Sequence, residues 1–443
     1  MISRMKMLLF IVSAALLTGF VSVQAQDKIS LTINQAIQTG IENSKTLKVS
    51  DSKVKAAFSR LNEVDANKYA WLKFTGAYTR LSKVDPFSVT LPGVGSITIS
   101  PSILDNYNAK LSLTQPLFTG FKISSLSEST EHLAKATNED FRKDKSELIL
   151  NISSAYWNLY KAGELKKTLD ENVQSVEGHL KDAKNLADQG LLTHNDVLKI
   201  EVQLSDIKYK LADANNGVRF AMISLSNTLG ISLGSQIEVA SKPDFAENQY
   251  GNLDQLLSTS YENRAELKAA DYRIKASEAG ITTAKSGWYP QVSLAGNYTY
   301  ANPNQRIVPS HEKFDGTWDV TLGVSVDLWN WNTTGHQTEQ AEAQLLQAKE
   351  GKSIAQDGIT LEVTQNYLSI NLAKEKIQIS NQAQQQAEEN YRITGEKFKQ
   401  GLALSTDLVD AEVAFLTAKT NYTTSVVDYE IALAKMQKSL GSK

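Results

Sequence analysis

Four segments of about ten residues alternate between apolar and polar side chains. The clearest is Trp318–Leu328, in which every second residue from Trp318 is apolar and those between are polar or glycine. Because successive side chains of a strand point to opposite faces, each segment predicts a β-strand with one apolar and one polar face. The other three segments are Leu72–Leu81, Tyr107–Leu113 and Val292–Tyr300.

The lengths of these segments suit a lipid bilayer, which a tilted strand of about ten residues can cross. An antiparallel sheet of a soluble domain, with its apolar face on a core, would show the same alternation. No other amphipathic layer of matching size is predicted to cover that face, which favours a membrane sheet. Aromatic residues, which prefer membrane interfaces, lie near the segment ends: Trp71, Tyr107, Phe118, Trp288, Tyr289, Trp318, Trp329 and Trp331.

Four strands cannot close a membrane barrel alone, since the smallest closed barrels have about eight. A sheet in lipid cannot leave the N–H and C=O groups of its edges unpaired, at several kcal/mol each. More than one copy of the chain must therefore contribute strands. Two copies would give a barrel filled by side chains, and three would give twelve strands with an open lumen.

The segments between the strand pairs predict helices of unusual length. No proline occurs between Lys122 and Gln189, so this helix is expected to reach on the order of 100 Å. Gly190 is expected to end it, and Thr193–Asp196 offers N-caps for a returning helix over Val197–Leu229. The same order recurs as Thr338–Gln400, Gly401, the cap candidates Ser405, Thr406 and Asp407, and Leu408–Leu440.

The two halves of the chain are an internal duplication. Leu148–Gly230 aligns without a gap on Ile359–Gly441, and roughly a fifth of the positions are identical. A period of 211 residues is far longer than a solenoid repeat of ~20–50 residues and indicates a duplicated half-molecule. A shorter helix precedes each strand pair, the second over Leu253–Ser286, and capping-box patterns at Thr32 and Asn252 mark their starts.

The domain organisation predicted from the duplication begins with a secretory signal peptide. Arg4 and Lys6 precede an apolar run, Leu8–Leu17, and a small-residue cleavage site follows at Ala25. The predicted divisions are a signal peptide at residues 1–25, a first repeat at 26–230, a connector at 231–251 and a second repeat at 252–443.

Composition argues against several other functions. A net charge of −3 gives no basis for binding nucleic acid, and the absence of cysteine excludes disulfides and thiolate metal sites. No histidine pair has the i, i+4 spacing of a helical zinc site, and Gly351-Lys352-Ser353 lacks the earlier glycine of a phosphate-binding loop. We therefore expect no enzyme activity, no metal site and no cofactor. The histidines are His132, His179, His194, His311 and His336.

Taken together, these features resemble the TolC-like outer-membrane efflux protein family, also called outer membrane factors. The resemblance rests on Leu31–Ile37, on Leu113-Thr-Gln-Pro-Leu-Phe-Thr-Gly, and on the two tip segments that begin at Gln189 and Gln400. It implies a mainly α-helical α+β fold. In that fold a trimeric, 12-stranded transmembrane β-barrel, with four strands per chain, is continuous with a long periplasmic α-helical barrel.

The resemblance also implies function and partners. The family forms homotrimeric exit ducts in outer-membrane lipid, for passive export of small molecules or polypeptides by tripartite efflux or type I secretion systems. A periplasmic adaptor (membrane fusion) protein would dock at the hairpin tips, and an inner-membrane pump would supply the energy. The alternative is a non-channel periplasmic coiled-coil stalk or adaptor protein. The tip residues are Gly190, Leu191, Gly401 and Leu402.

A periplasmic gate is the site that the resemblance implies. Asp407 and Asp410 match the family's ring of aspartates, and Asp196 matches a third member of its gate network. Six aspartates from three copies would attract cations, although the helix dipole alone would also favour Asp407.

Three positions make the predicted gate unlike the family's. Phe398 stands at the family's gate tyrosine and Ala403 at its gate arginine, so neither the hydroxyl bond nor the charge bridge can form there. Lys199 is the first-repeat counterpart of Asp410. The lock is therefore expected to be made differently. The role of the long loop at residues 82–106, as a plug or an extension of the outer mouth, stays open.

Overall fold

The structure is a computed structural model that describes residues 29–243 and 250–441, so the predicted signal peptide at residues 1–25 lies outside it. The chain divides into two compact units. The described part of the hairpin unit comprises residues 29–47, 145–243, 250–256 and 363–441, and the sheet unit comprises residues 48–144 and 257–362. Each unit takes residues from both repeats.

Helices account for most of the described chain, and the predicted hairpins are present. The first long helix ends at Asp188, and the second begins at Thr333 rather than at Thr338. Nowhere in residues 29–243 and 250–441 is a helix long and apolar enough to cross a membrane. In chain order the helices are α1 (Ile33–Asn43), α2 (Lys45–Ala66), α3 (Lys122–Asp188), α4 (His194–Leu229), α5 (Leu253–Asn263), α6 (Ala265–Lys285), α7 (Thr333–Lys399) and α8 (Ser405–Ser439).

The prediction of one continuous helix over Leu253–Ser286 is wrong at Arg264, where α5 ends and α6 follows. Arg264 has extended backbone and is only 4% exposed. Its guanidinium lies 2.8 Å from Glu266 and 2.9 Å from Glu362. The break therefore accompanies a buried guanidinium that two carboxylates neutralise, as a buried charge requires.

The core of the hairpin unit is a coiled-coil seam. Leu169, Val176 and Ala183 of α3 recur every seven residues and are buried. Seven-residue spacing keeps apolar side chains facing a partner helix in a left-handed supercoil. The facing side chains on α4 show the same spacing: Ile200, Ile207 and Ala214.

A small parallel strand pair lies beside these helices. The strand Ile237–Val239, within the connector, pairs with Ile29–Leu31. Tyr156 of α3 is fully buried, donates its hydroxyl to the Leu31 carbonyl at 2.8 Å and accepts the Ser241 N–H at 2.9 Å. This one side chain ties the first described strand and the connector to the long helix.

The sheet unit contains the four predicted strands as an antiparallel sheet, in the order Trp71–Arg80 (β2), Asp105–Thr119 (β5), Gln291–Asn302 (β7) and Asp315–Ser325 (β8). The second of them extends to Thr119, because a bulge between Pro116 and Phe118 accommodates a proline that has no N–H to donate. The strands of the chain are β1 (Ile29–Leu31), β2 (Trp71–Arg80), β3 (Phe87–Leu91), β4 (Gly95–Ser100), β5 (Asp105–Thr119), β6 (Ile237–Val239), β7 (Gln291–Asn302) and β8 (Asp315–Ser325).

The loop at residues 82–106 contains an additional strand pair, β3 with β4, that the sequence analysis did not predict. Gly93 and Gly95 have φ values of 81° and 93°, which permit the tight connection between the two strands. These strands have only five and six residues, which is shorter than the alternation of about ten residues that marks the other four strands.

Candidate functional site

The two helical hairpins turn in the same way at their tips. Gly190 and Gly401 have left-handed φ values of 74° and 70°. The N–H groups of Leu191 and Leu402, which follow them, each donate to a carbonyl of the preceding helical turn at 2.9 Å. These two leucines are 63% and 72% exposed, so each tip presents an unpacked apolar side chain.

The carboxylate of Asp196 joins the tips of the two hairpins. It accepts the Thr193 hydroxyl at 2.6 Å and N–H at 3.2 Å, and the Ser405 hydroxyl at 2.9 Å. Lys199 lies 3.4 Å from the same carboxylate. The hydrogen bonds from Thr193 and then Ser405 lower the pKa of Asp196 to about 2. A fixed negative charge therefore sits at this junction at neutral pH.

Ser405 differs from its predicted role. It was a candidate N-cap, but Leu404 occupies the N-cap position and Ser405 is the fully buried first residue of α8. The reason is its bond to Asp196, which orients the hydroxyl toward the first hairpin. Asp407 instead accepts the Leu404 N–H at 3.2 Å and satisfies the helix start.

Asp407 and Asp410 are both exposed on the first turns of α8. Residues three apart lie on one side of a helix, so the two carboxylates share a face. Asp196 belongs to a different environment, since it is bonded across to Ser405. The structure thus places two of the three predicted gate acids together in solvent and the third within the hairpin junction.

Two of the three positions that depart from the family's gate, Phe398 and Ala403, lie in or against the apolar core. Phe398 is fully buried in the seam, and Ala403 packs against the same cluster. Near the tips, the two hairpins are joined by apolar packing and by the Asp196–Ser405 hydrogen bond.

A buried polar network, which the sequence analysis missed, connects α3, α7 and α8. Glu412 is 2% exposed and accepts the Asn172 side-chain N–H at 2.8 Å and the Tyr391 hydroxyl at 3.4 Å. The Tyr391 oxygen also lies 2.6 Å from Ser175 Oγ and 2.7 Å from His179 Nε2. Burial raises the pKa of Glu412 to about 7 and that of Tyr391 to about 12, and it lowers the pKa of His179.

The four-stranded sheet has one apolar and one polar face. The strand register aligns Phe74, Leu111, Tyr298 and Trp318 in a row, with exposed fractions of 69%, 41%, 50% and 72%. No layer of the described chain covers this apolar face, so the described residues do not supply the core that a soluble sheet would need. The adjacent row, which points to the opposite face, consists of Thr75, Lys110, Thr299 and Thr317.

The edges of this sheet are also open. β2 and β8 are its outermost strands, and each is paired on one side only within the part of the chain that the structure describes. An unpaired edge presents a row of N–H and C=O groups that can pair with another chain. The sheet thus combines an exposed apolar face with two strand edges available for pairing.

The described residues offer no grouping of three or more histidine, aspartate or glutamate side chains that could hold a metal ion. The sequence has five histidines. Among them, His179 has its ring nitrogen in the buried network around Tyr391.

Comparison with known proteins identifies the family. The model of the family described as "Outer membrane efflux protein" matches residues 36–231 and 256–442. Outer membrane protein TolC of Vibrio cholerae serotype O1 is 21% identical over 346 residues, which are 77% of this chain and 78% of that protein. Outer membrane protein TolC of Escherichia coli K12 is 21% identical over 446 residues, covering 99% of this chain and 87% of that protein.

The fold agrees with these relatives. The CmeC outer membrane channel of Campylobacter jejuni superposes with a TM-score of 0.78 over 92% of this chain and 85% of that chain, at 14% identity. The comparisons confirm the predicted location, in the outer membrane with the helical part in the periplasm. They also confirm the TolC-like resemblance. The family is one of transport channels rather than enzymes. The chain belongs to the outer membrane efflux protein family.

Proposed function

We propose that three copies of this chain form one channel that crosses the outer membrane and continues as a helical duct. The observation that carries the proposal is the uncovered apolar face and open edges of the sheet. Lipid can cover the face but cannot pair the edges. Pairing β8 of one copy with β2 of the next would close every edge, and twelve strands would enclose a lumen lined by the polar face.

Exposed seams on the helices support the same assembly. On α4, Val202, Tyr209 and Ile223 follow a seven-residue period with one position skipped, and they are 69%, 69% and 45% exposed. On α7, Leu372, Ile379 and Ile393 repeat that arrangement at 52%, 61% and 38%. Heptad seams without a partner indicate helix packing against another copy.

The duct would transport passively. We propose that a periplasmic adaptor binds the hairpin tips, where Leu191 and Leu402 are exposed, and that an inner-membrane pump supplies the energy. The cargo would be small molecules or polypeptides, moving past the polar face of the sheet. The channel itself would need no cofactor.

At the entrance, Asp407 and Asp410 of three copies would form an acidic ring that concentrates cations. The Asp196–Ser405 bond and the packing of Phe398 would hold the hairpins in the closed arrangement. These interactions would take the place of a tyrosine hydroxyl bond and an arginine charge bridge.

Disulfide cross-linking tests the barrel, because the chain has no cysteine of its own. Lys73→Cys on β2 would be combined in turn with cysteine at Thr317, Asp319 and Thr321 on β8, all on the polar face. Oxidation in isolated outer membranes should give covalent dimers and trimers with at least one of these pairs. Lys73→Cys with Asn297→Cys on the inner strand β7 is the matched control and should not cross-link. If Lys73→Cys gave only monomers with each of the three β8 cysteines, the trimeric barrel would be refuted.

Block by trivalent cations in planar bilayers tests the acidic ring. Asp407→Asn with Asp410→Asn should raise the blocking concentration by about tenfold or more, because six charges leave a confined opening. Asp206→Asn with Asp213→Asn removes the same number of carboxylates from α4 and should leave block unchanged. Equal block in the ring variant and the parent would remove the ring from the proposed gate.

A further inference from the structure

The side chain of Asn172, which bonds the buried carboxyl of Glu412, has an incomplete set of hydrogen bonds. Glu412 Oε1 accepts the Asn172 side-chain N–H at 2.8 Å, yet the other end of that carboxamide, Asn172 Oδ1, is buried without a hydrogen-bond partner among the described residues. A protonated carboxyl can accept an amide N–H at one oxygen and donate its O–H to the same amide's oxygen from the other. A buried acceptor left unpaired is destabilising, so a donor at this point would stabilise the site.

We propose that Glu412 is a proton-binding site and that its protonated carboxyl and the Asn172 carboxamide form a two-bond acid–amide pair that holds α8 to α3. The proton satisfies Asn172 Oδ1 while Asn172 continues to donate to Oε1. Loss of the proton removes the second bond and leaves a carboxylate facing the Asn172 oxygen in an apolar seam. The buried Glu412 is thus a switch in the packing of the second hairpin.

Among the residues that the structure describes, no cation forms an ion pair with Glu412. Tyr391 on α7 is neutral. On the far side of Tyr391, burial lowers the pKa of His179 on α3; Lys399 also lowers it, and Asp182 raises it. Charged groups on the helices packed here also form three ion pairs that do not include Glu412. These pairs are Glu171 with Lys419, Glu177 with Lys208 and Lys184 with Glu201, at 2.7, 2.8 and 2.9 Å.

The direction of the pH effect follows from the rise in the pKa of Glu412 from 4.5 to about 7. Between these two pH values, Glu412 keeps its proton when α8 is packed and has lost it when the helices separate. The packed state is therefore most favoured below about pH 4.5, loses that advantage as the pH rises, and reaches a plateau above pH 7. A rise of this size corresponds to a change of up to several hundred-fold in the packing equilibrium.

The proposed channel gives this switch a consequence, and that part rests on the proposed function. Glu412 lies two residues after Asp410 on α8, so looser packing of this helix would change the position of the acidic ring. The entrance would then open more readily at neutral pH than in acid.

Hydrogen exchange of the intact, detergent-solubilised protein tests the switch. Peptides spanning residues 168–182 and 408–416 should lose protection between about pH 4.5 and 7 and show no further loss above that range, after correction for the intrinsic exchange rate. Glu412→Gln supplies a permanent donor to Asn172 Oδ1, so its protection should be independent of pH. Glu201→Gln, at the matching position of the first repeat, should keep the parental profile.

Two results would overturn the proposal: a parental profile without a pH transition, or a Glu412→Gln profile that retains it. His179→Asn distinguishes titration of the Glu412 carboxyl from titration of the His179 imidazole. If Glu412 is the titrating group, this variant should shift the midpoint of the transition without abolishing it. Bilayer conductance measured in parallel distinguishes failure of the channel from failure of the switch. A pH-dependent exchange profile in a protein that forms no pores would leave the switch intact and reject the duct.

Discussion

The first and second hairpins have the same two acids in opposite surroundings. Asp196 and Asp407 occupy matching repeat positions, as do Glu201 and Glu412. In the first hairpin the tip acid is tied into the junction, and Glu201 is half exposed beside Lys184. In the second hairpin the tip acid is exposed and Glu412 is buried. Each hairpin thus fixes one acid and exposes the other.

The difference arises from what each hairpin packs against. α3 contacts both returning helices through its side chains: Lys208 of α4 reaches Glu177, and Lys419 of α8 reaches Glu171. The face of α8 that bears Glu412 turns into the seam, while the matching face of α4 meets solvent and a lysine. The duplication therefore places a glutamate at the same position in both hairpins, and the way each helix packs determines that Glu412 is buried and Glu201 is not.

The comparison teaches that the two hairpins are electrically distinct although their tips are built alike. The first hairpin contributes a charge locked by hydrogen bonds. The second contributes two exposed aspartates and one buried glutamic acid. Substitutions at matched positions should therefore have unequal effects where the environments differ and equal effects where the local backbone is the same.

The largest difference in the effect of matched substitutions on stability is expected between Phe398 and its repeat counterpart Ala187. Phe398→Ala removes a fully buried ring from the seam and should lower the free energy of unfolding by about 3–5 kcal/mol. Ala187→Gly, in a partly buried helical position, should cost about 1 kcal/mol. Thermal unfolding followed by circular dichroism in detergent measures both, and similar shifts would contradict the assignment of Phe398 to the core.

A smaller inequality is expected at the tip acids. Asp196→Asn weakens hydrogen bonds to a charged acceptor and should destabilise the hairpin junction by about 1.5–3 kcal/mol, whereas Asp407→Asn affects one exposed bond and should cost less. Because the pKa of Asp196 is lowered to about 2, its contribution is complete above about pH 4 and is lost as the pH falls toward 2.

Acid titration of thermal stability checks this prediction. The parent should lose stability between pH 4 and 2, and Asp196→Asn should lose less over the same range. Ser405→Ala provides a second test, since it removes only the bond between the hairpins and should raise the pKa of Asp196. A parent and an Asp196→Asn variant with parallel acid profiles would show that this carboxylate does not join the tips.

Much of the architecture could be predicted from the chain itself. The C-terminal ends of α3 and α4 (to within one residue), the glycine turns and the presence of the four strands follow from local rules of alternation, breakers and caps, and the structure bears them out. The predicted start of α4 was wrong, since the helix begins at His194 rather than at Val197. The limits of β8 were wrong by a few residues, since Val326 and Leu328 continue the alternation of Trp318–Ser325 but lie beyond the ladder.

The buried network could not be predicted because it depends on the rotation of helices about their axes. A glutamate in a polar helix such as α8 normally faces solvent, and nothing local distinguishes Glu412 from Glu201. The helical partners of Glu412, Asn172 and Tyr391, are 240 and 21 residues away in sequence. The bond of Ser405 to Asp196 was missed for the same reason, because a local cap was expected where a long-range partner was present.

The smallest effects, and equal ones, are expected at the two tip glycines. Gly190 and Gly401 have φ values of 74° and 70°, and an added Cβ would meet nothing within 4 Å at either position. The cost of Gly190→Ala or Gly401→Ala is therefore backbone strain alone, about 1 kcal/mol in each. Hydrogen exchange of the two tips should show matched losses of protection. Unequal losses would mean that the tips differ already in their backbone, and the contrast between the hairpins would then extend beyond the placement of their acids.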